Sequence, residues 1–234
     1  MSSECFSNDY TQDANCQGAW LLNESSGNAL DSSPNGNNLV VTGATQGVAG
    51  QFGTAYSFNG IDNYLTGGDL DIAGSSVSIC CWFNMGTANY QTIIVKGKAR
   101  DAFSYYSNKE LLKMRFLDDN VHYVQSTDNV PLEVLTHYGV TADGTNVNFY
   151  FDGVSDSGNP HSYPYSIALN NYNILVGARY DYEGGYEDEF SSVLDEIGLF
   201  SRALSSTEIN DIMDNGLAGG AAASIMQPRI MRWN

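Results

Sequence analysis

The chain has 234 residues, of which 42% are hydrophobic and only 16% are charged. It therefore has enough apolar material for one substantial core, but few of the charged residues that helical bundles carry. Ten Lys+Arg against 27 Asp+Glu give a formal net charge of −17, so we expect no nucleic-acid partner. No run of about 18 apolar residues occurs, and no membrane span is expected.

The predicted strands follow one another at short, even spacing along the chain. Turn dipeptides such as Asn35-Gly36 and Asn59-Gly60 separate them. The clearest strand, 146–151, alternates apolar and polar residues between the Asp-Gly turns at 143–144 and 152–153. The other predicted strands are 18–22, 38–42, 54–59, 77–83, 91–95, 102–107, 111–117, 121–126, 135–141, 172–178 and 193–200. A dozen strands without alternating helices predict an all-β, two-sheet antiparallel sandwich.

One short helix is predicted near the C-terminus. Ser205 and Glu208 have the spacing of a capping box, and Gly216 is a stop signal. Between them, Ile209, Ile212 and Met213 form an apolar stripe. We expect this helix to pack on the edge or end of the sandwich.

The two ends of the chain differ from the rest. Residues 1–16 form a predicted N-terminal arm with no basic and no apolar signal-peptide region. Residues 218–234 form a predicted tail, in which small residues are followed by an apolar and basic segment. We expect the tail to dock on its own domain or on a neighbouring subunit, which would give a homo-oligomer or a larger assembly.

The four cysteines lack metal-binding spacing. Cys80 and Cys81 are adjacent, so on a strand they point to opposite faces. Cys5 and Cys16 are far enough apart to close a disulfide loop, but buried thiols are the default expectation.

Six segments, taken in order, resemble the laminin-G-like, concanavalin A-type jelly-roll family. They are 18–23, 31–39, 55–65, 77–83, 137–153 and 194–205, and the resemblance covers about residues 17–217. It implies a two-sheet sandwich that binds carbohydrate or protein, often with a calcium ion. We expect an extracellular, virion or cell-surface setting, although this chain shows no signal peptide.

A calcium site is predicted around residue 31. Asp31, Ser33 and Asn35 occupy positions 1, 3 and 5 of a turn, with glycine at position 6, as in the first half of a calcium loop. Position 12 is Thr42, so a second segment is needed, and the resemblance suggests the one at Asp195. The alternative is an Asx-turn. The predicted ligands of this structural calcium are Asp31, Asn35, Asn38 and Asp195.

An acidic, tyrosine-rich segment is the predicted ligand-binding loop. Residues 181–196 contain seven acids and no Lys or Arg, around Gly184-Gly185. Tyrosine rings can stack on sugar C–H surfaces while carboxylates accept bonds from hydroxyls. The alternative is a solvated hairpin tip. The predicted contacts are Arg179, Tyr180, Asp181, Tyr182 and Tyr186.

Three functions remain open from the sequence. The favoured one is a non-catalytic, lectin-like module that binds carbohydrate or a glycosylated surface. The second is a divergent glycosidase or lyase that uses Glu187, Glu189 and Asp195, although the acid spacing typical of jelly-roll glycosidases is incomplete. The third is an adhesin-like component of a virion or cell-surface assembly. Six of the ten basic residues lie between 96 and 115, where they form either an anion site or, as we favour, a Lys-protected edge strand.

Overall fold

The computed structural model describes residues 8–70, 72–86, 90–98, 101–108, 111–115, 123–167, 171–181 and 183–219. Within these ranges the chain forms two large, almost entirely antiparallel sheets and one α-helix, so the predicted all-β fold is confirmed. No helix among the described residues is long and apolar enough to cross a membrane. The predicted ligand contact Tyr182, the disulfide candidate Cys5 and most of the predicted tail lie outside the described residues.

Eighteen strands are described, and several are only two or three residues long. In chain order they are β1 (Cys16–Trp20), β2 (Val40–Thr42), β3 (Thr45–Ala49), β4 (Thr54–Asn59), β5 (Tyr64–Thr66), β6 (Ser76–Phe83), β7 (Gln91–Lys98), β8 (Asp101–Asn108), β9 (Leu111–Arg115), β10 (Tyr123–Gln125), β11 (Thr136–Asp143), β12 (Asn146–Phe151), β13 (Val154–Ser155), β14 (His161–Ser162), β15 (Ile174–Val176), β16 (Arg179–Tyr180), β17 (Tyr186–Glu187) and β18 (Ser191–Phe200). A 3-10 turn at Tyr10–Gln12 precedes them, and helix α1 (Ser206–Asn215) follows them.

The first sheet has the order β13-β12-β11-β6-β18-β4-β3, with β1 also paired to β18 and β14 to β12. The second has the order β10-β9-β8-β7-β15-β5-β2, and the β16–β17 hairpin joins it beside β7. Many neighbours in each sheet are distant in sequence, so the sandwich depends on long-range pairing. The C-terminal strand β18 pairs with β1, β4 and β6 and ties the two ends of the domain together.

The main core lies between the inner faces of the two sheets. Phe83 stacks on Tyr138 with ring centroids 3.8 Å apart, and both belong to the first sheet. Tyr105 and Ile94 of the second sheet belong to the same buried cluster. Cys16, Cys80 and Cys81 are free, buried thiols, which confirms the default expectation for these three residues.

Helix α1 covers the outer face of the first sheet. The Ser205 hydroxyl accepts the Glu208 N–H at 3.2 Å and the Glu208 carboxylate accepts the Ser205 N–H at 2.7 Å, which confirms the predicted capping box. Ile209 and Ile212 are buried against Cys80 and Phe200. This face of the first sheet is therefore committed to internal packing.

The described part of the N-terminal arm packs on the same helix. The Tyr10 N–H donates to the Leu217 carbonyl at 2.8 Å, and the Tyr10 hydroxyl donates to Asp211 at 2.9 Å. Arg202 bridges the two segments, with its guanidinium 2.7 Å from both Asp13 and Glu208. The arm and the helix thus form a layer outside the first sheet.

Candidate functional site

The β16–β17 hairpin is shaped by a carboxylate in its turn. Asp181 Oδ1 accepts the backbone N–H groups of Glu183, Gly184 and Gly185 at 2.8, 2.6 and 2.7 Å. Gly184 has φ +98°, a conformation that disfavours other residues. Asp181, predicted as a sugar contact, thus fixes the backbone of the turn.

Three tyrosines form an aromatic surface beside this turn, which we call the tyrosine face: Tyr64, Tyr180 and Tyr186. Tyr64 and Tyr186 are stacked with ring centroids 4.1 Å apart, and Tyr180 lies 5.4 Å from Tyr186. The hydrogen bond to the Tyr64 hydroxyl, and then burial, raise the pKa of Tyr186, so Tyr186 stays uncharged at neutral pH.

The tyrosine face rests on the outer side of the second sheet. Tyr64 and Tyr180 pack against Val95 and Leu175, which are fully buried beneath them. Tyr186 keeps 36% of its surface exposed. The rings are therefore held by sheet packing while one edge of the cluster faces solvent.

An open pocket of about 380 Å³ adjoins the tyrosine face. It is lined by Asn171, Tyr172, Asn173, Tyr180 and Gly184. Tyr180 belongs to both the pocket and the face, so the two form one continuous surface. Amide groups and an aromatic ring in one depression suit a polyhydroxylated ligand that also has apolar C–H surfaces.

A buried lysine supports the far wall of this pocket. Lys96, on β7, is fully buried, and its ammonium lies 2.5 Å from Asp69 and 3.2 Å from the carbonyl oxygen of Tyr172. It anchors the 171–173 segment from inside the protein. Lys96 is therefore not one of the surface lysines of the edge strand that the sequence predicted between 96 and 115. Lys113 is also buried, with its ammonium 3.9 Å from the Tyr123 ring centroid.

Arg179, another predicted contact, is bound to two acids of its own hairpin. Its guanidinium lies 2.7 Å from Asp188 and 3.1 Å from Glu187. These pairs join the two sides of the hairpin, because Arg179 and Glu187 are register partners in β16 and β17.

Asp31 lies in a dense set of internal hydrogen bonds. Its Oδ1 accepts the N–H groups of Ala19 and Ser33, both at 2.9 Å. Its Oδ2 accepts the Ser33 hydroxyl at 2.7 Å and the Asn37 N–H at 2.8 Å. These four bonds match the acceptor capacity of an ionised carboxylate, which favours the Asx-turn alternative.

The other predicted calcium ligands also form hydrogen bonds within the protein. The Asn38 Oδ1 accepts the Asp31 N–H at 2.8 Å, and the Asn35 amide donates to the Cys16 carbonyl at 2.6 Å. Asp195 Oδ2 accepts the N–H groups of Gln51 and Phe52 at 2.7 and 3.2 Å, so Asp195 and Asp31 share no hydrogen-bonding partner. Across the described ranges, no group of three or more His, Cys, Asp or Glu side chains is placed to hold a metal ion. The four residues are thus used by internal hydrogen bonds in this structure, and the calcium site stays a prediction.

Asp195 and Glu196 form a buried acid pair on β18. Both are less than 5% exposed. Burial raises the pKa of Asp195 to about 7 and the pKa of Glu196 to about 8. Asp195 Oδ1 is buried without a hydrogen-bond partner among the described residues, and Asp195 exposes none of its surface to solvent. The arrangement suits a structural role better than the catalytic one considered for Asp195.

Sequence reasoning missed several residues of this surface. Tyr64 lies on the short strand β5, distant in sequence from the hairpin, and only the fold brings it to Tyr186. Asn171, Tyr172 and Asn173 alternate polar and aromatic side chains just before β15. The sequence contains this pattern, but Tyr172 and Asn173 were interpreted as part of the predicted strand 172–178 and not as a binding segment.

Comparisons with known proteins agree with the described fold. A family model described as the concanavalin A-like lectin/glucanases superfamily matches residues 58–210. A search of curated protein sequences found no match.

Three solved structures illustrate the similarity of the fold. Domain 4 of AbnA, an extracellular GH43 arabinanase from Geobacillus stearothermophilus solved with arabinotriose, has a TM-score of 0.63 at 15% identity and covers 85% of this chain and 98% of its own. The binding domain of botulinum neurotoxin serotype D has a TM-score of 0.61 at 10% identity, over 86% of this chain and 50% of its own. Trypanosoma rangeli sialidase with sialic acid has a TM-score of 0.60 at 11% identity, over 87% of this chain and 33% of its own.

Proposed function

The chain belongs to the concanavalin A-like lectin/glucanase superfamily, as its motifs predicted, and from that premise we propose that it is a non-catalytic carbohydrate-binding module. The proposed site is the tyrosine face together with the adjoining pocket. Glycans on an extracellular, virion or cell surface are the proposed partners.

One observation carries this proposal: the tyrosine face and the amide-lined pocket meet at Tyr180. Sugars present apolar C–H patches and many hydroxyls, so they need aromatic surface and polar groups side by side. Tyr64, Tyr180 and Tyr186 supply the surface, and Asn171 and Asn173 supply amide donors and acceptors. Both parts are preformed, because sheet packing holds the rings and the Asp181 turn holds the hairpin.

Two fold neighbours support a binding role. Domain 4 of the arabinanase was solved with arabinotriose, and the toxin structure is a binding domain. The sialidase neighbour is an enzyme, so the enzyme alternative stays open. Against that alternative, Asp195 is buried and Glu187 is paired with Arg179, so two of the three candidate acids have internal tasks.

The adhesin-like alternative depends on the tail, and the structural calcium remains a prediction. Neither is needed for the tyrosine face to bind a sugar. The ligand contacts predicted for Arg179, Asp181 and Tyr182 remain predictions as well. In the structure, the hydrogen bonds of Arg179 and Asp181 stabilise the hairpin.

The test begins with a glycan array that identifies a ligand, followed by titration calorimetry on variants. Replacing Tyr180 or Tyr186 by Ala is expected to weaken binding by about 1 kcal/mol or more, about fivefold, because a stacking surface is lost. Tyr186→Phe keeps the ring and should bind more tightly than Tyr186→Ala. Tyr123→Ala, at a 40% exposed tyrosine on β10, is the matched control. Equal binding by wild type and both Ala variants would rule out this site.

A further inference from the structure

We propose that this site selects neutral or amine-bearing glycans and rejects those that carry carboxylate or sulfate groups. The inference rests on the proposed function, since it concerns the specificity of the same surface. It follows from the charges around the pocket and from what the nearby cations already bind.

The chain around the pocket has a large excess of acids. Between positions 171 and 189, which include the pocket-lining segment and the whole hairpin, there is one arginine against five acids, a net charge of 1 − 5 = −4. The acids are Asp181, Glu183, Glu187, Asp188 and Glu189. Of these, Glu183 is next to the pocket in sequence, because the exposed turn that carries it also contributes Gly184 to the pocket lining.

Two cations close to the pocket, Arg179 and Lys96, are bound to internal partners. Arg179 pairs with Glu187 and Asp188 across the hairpin. Lys96 is buried against Asp69 and the Tyr172 carbonyl. An anionic sugar that recruited either cation would have to break an existing ion pair, and in the case of Lys96 it would have to enter the protein interior.

The carboxylate of Asp181 is part of the hydrogen bonding that holds the turn. Asp181 carries its charge at the base of the turn, where three backbone N–H groups hold one of its oxygens. These bonds favour the ionised form of a carboxylate. The negative charge is thus built into the structure that positions Gly184 and Tyr180.

Coulomb's law gives the expected size of the discrimination. Four net charges about 10 Å from a bound carboxylate in water weaken its binding about sevenfold at 10 mM salt, and about twofold at 150 mM salt, relative to a neutral sugar of the same shape. This salt dependence distinguishes charge from steric fit, because a poor fit is insensitive to salt.

The experiment compares matched neutral and anionic probes. The pairs are the methyl ester of oligogalacturonate with oligogalacturonate itself, and lactose with 6-sulfated lactose. In every pair that binds, the neutral member should bind more tightly at 10 mM salt, with the ratio shrinking as salt is raised. Anionic members that bind equally well or better at 10 mM salt would overturn the inference.

Charge reversal provides the matched variants. Glu183→Lys with Glu189→Lys brings the net charge of residues 171–189 to zero and should abolish the preference. Asp214→Lys changes an exposed residue of α1, on the opposite side of the sandwich, and should leave the preference unchanged. Binding of no glycan on the array, and of no neutral or anionic probe, would reject the proposed function, and the inference with it. Binding that is lost in Tyr180→Ala but favours the anionic probes would reject the inference alone.

Discussion

Replacing Glu196 with Gln is expected to make the stability of the protein less dependent on pH between about 5 and 8. Glu196 lies on β18, is 4% exposed, and accepts the Leu217 N–H at 2.8 Å. Glutamine has nearly the same shape and keeps an acceptor for that N–H. The substitution therefore removes the titrating group while the hydrogen bond to the segment after α1 is retained.

The sign of the effect follows from the direction of the pKa shift. Burial raises the pKa of Glu196 from 4.5 to about 8; the Leu217 bond opposes this shift and the Asp195 charge adds to it. Because the folded protein binds this proton more tightly than the unfolded chain, the stabilisation is complete below about pH 4.5 and is lost as pH rises towards 8.

The magnitude follows from the same linkage. Each pH unit inside this window changes the free energy of unfolding by up to about 1.4 kcal/mol for one group. Between pH 5.5 and 7.5 the wild type should therefore lose about 2–3 kcal/mol that the Gln variant keeps. Measurements above pH 5 avoid the acid range in which the ion pair of Glu208 is lost, because the Arg202 bond lowers the pKa of Glu208.

Urea denaturation followed by tryptophan fluorescence at pH 5.5, 6.5 and 7.5, at constant ionic strength, measures this difference. Glu183→Gln, which removes the same charge from an exposed turn, is the control and should follow the wild type. Parallel pH profiles for wild type and Glu196→Gln would refute the reasoning. That result would mean that the Glu196 carboxyl ionises in the folded protein as easily as in the unfolded chain.

Two further predictions concern the metal and the tail. If calcium bridges Asp31 and Asp195, EDTA should lower the melting temperature of the wild type, because an ion at 100 times its dissociation constant adds about 2.7 kcal/mol to the free energy of unfolding. Asp31→Asn should erase the difference that EDTA makes. Equal melting temperatures with and without EDTA would contradict a structural calcium. If the predicted tail docks on this domain or on a neighbouring subunit, deletion of 224–234 should lower the melting temperature or change the mass in sedimentation, and a variant unchanged in both would contradict docking.

The sequence predicted the fold better than the site, for a physical reason. Capping boxes and alternating strands are local patterns, so the Ser205 cap and β12 could be predicted where they occur. Strand β3, with the sequence TQGVA, is an exposed edge strand with no apolar face to mark it, and it was missed. Strand β5 is only three residues long, too short for an alternation to show.

The candidate site depends on contacts that no local pattern encodes. Tyr180 and Tyr186 could be predicted because their segment is rich in tyrosine and glycine, but their stacking partner Tyr64 comes from a strand more than 100 residues earlier. Lys96 looked like a surface charge in sequence, yet the fold buries it beside Asp69. For Asp31, one pattern of oxygen-bearing side chains fits both a calcium loop and an Asx-turn. The structure favours the turn because backbone N–H groups and the Ser33 hydroxyl already donate hydrogen bonds to both oxygens of the Asp31 carboxylate.

The two outer faces of the sandwich differ in what covers them, and this difference supports the proposed binding surface. Helix α1 and the N-terminal arm bury the outer face of the first sheet, and Arg202 ties those segments together. On the second sheet, the short β16–β17 hairpin covers Val95 and Leu175 with tyrosines that remain partly exposed. A ligand on the first sheet would have to displace a capped helix, whereas one on the second sheet meets aromatic surface that is already in place. Because ordering costs reduce affinity, the proposed site for a flexible ligand such as an oligosaccharide is this preformed face.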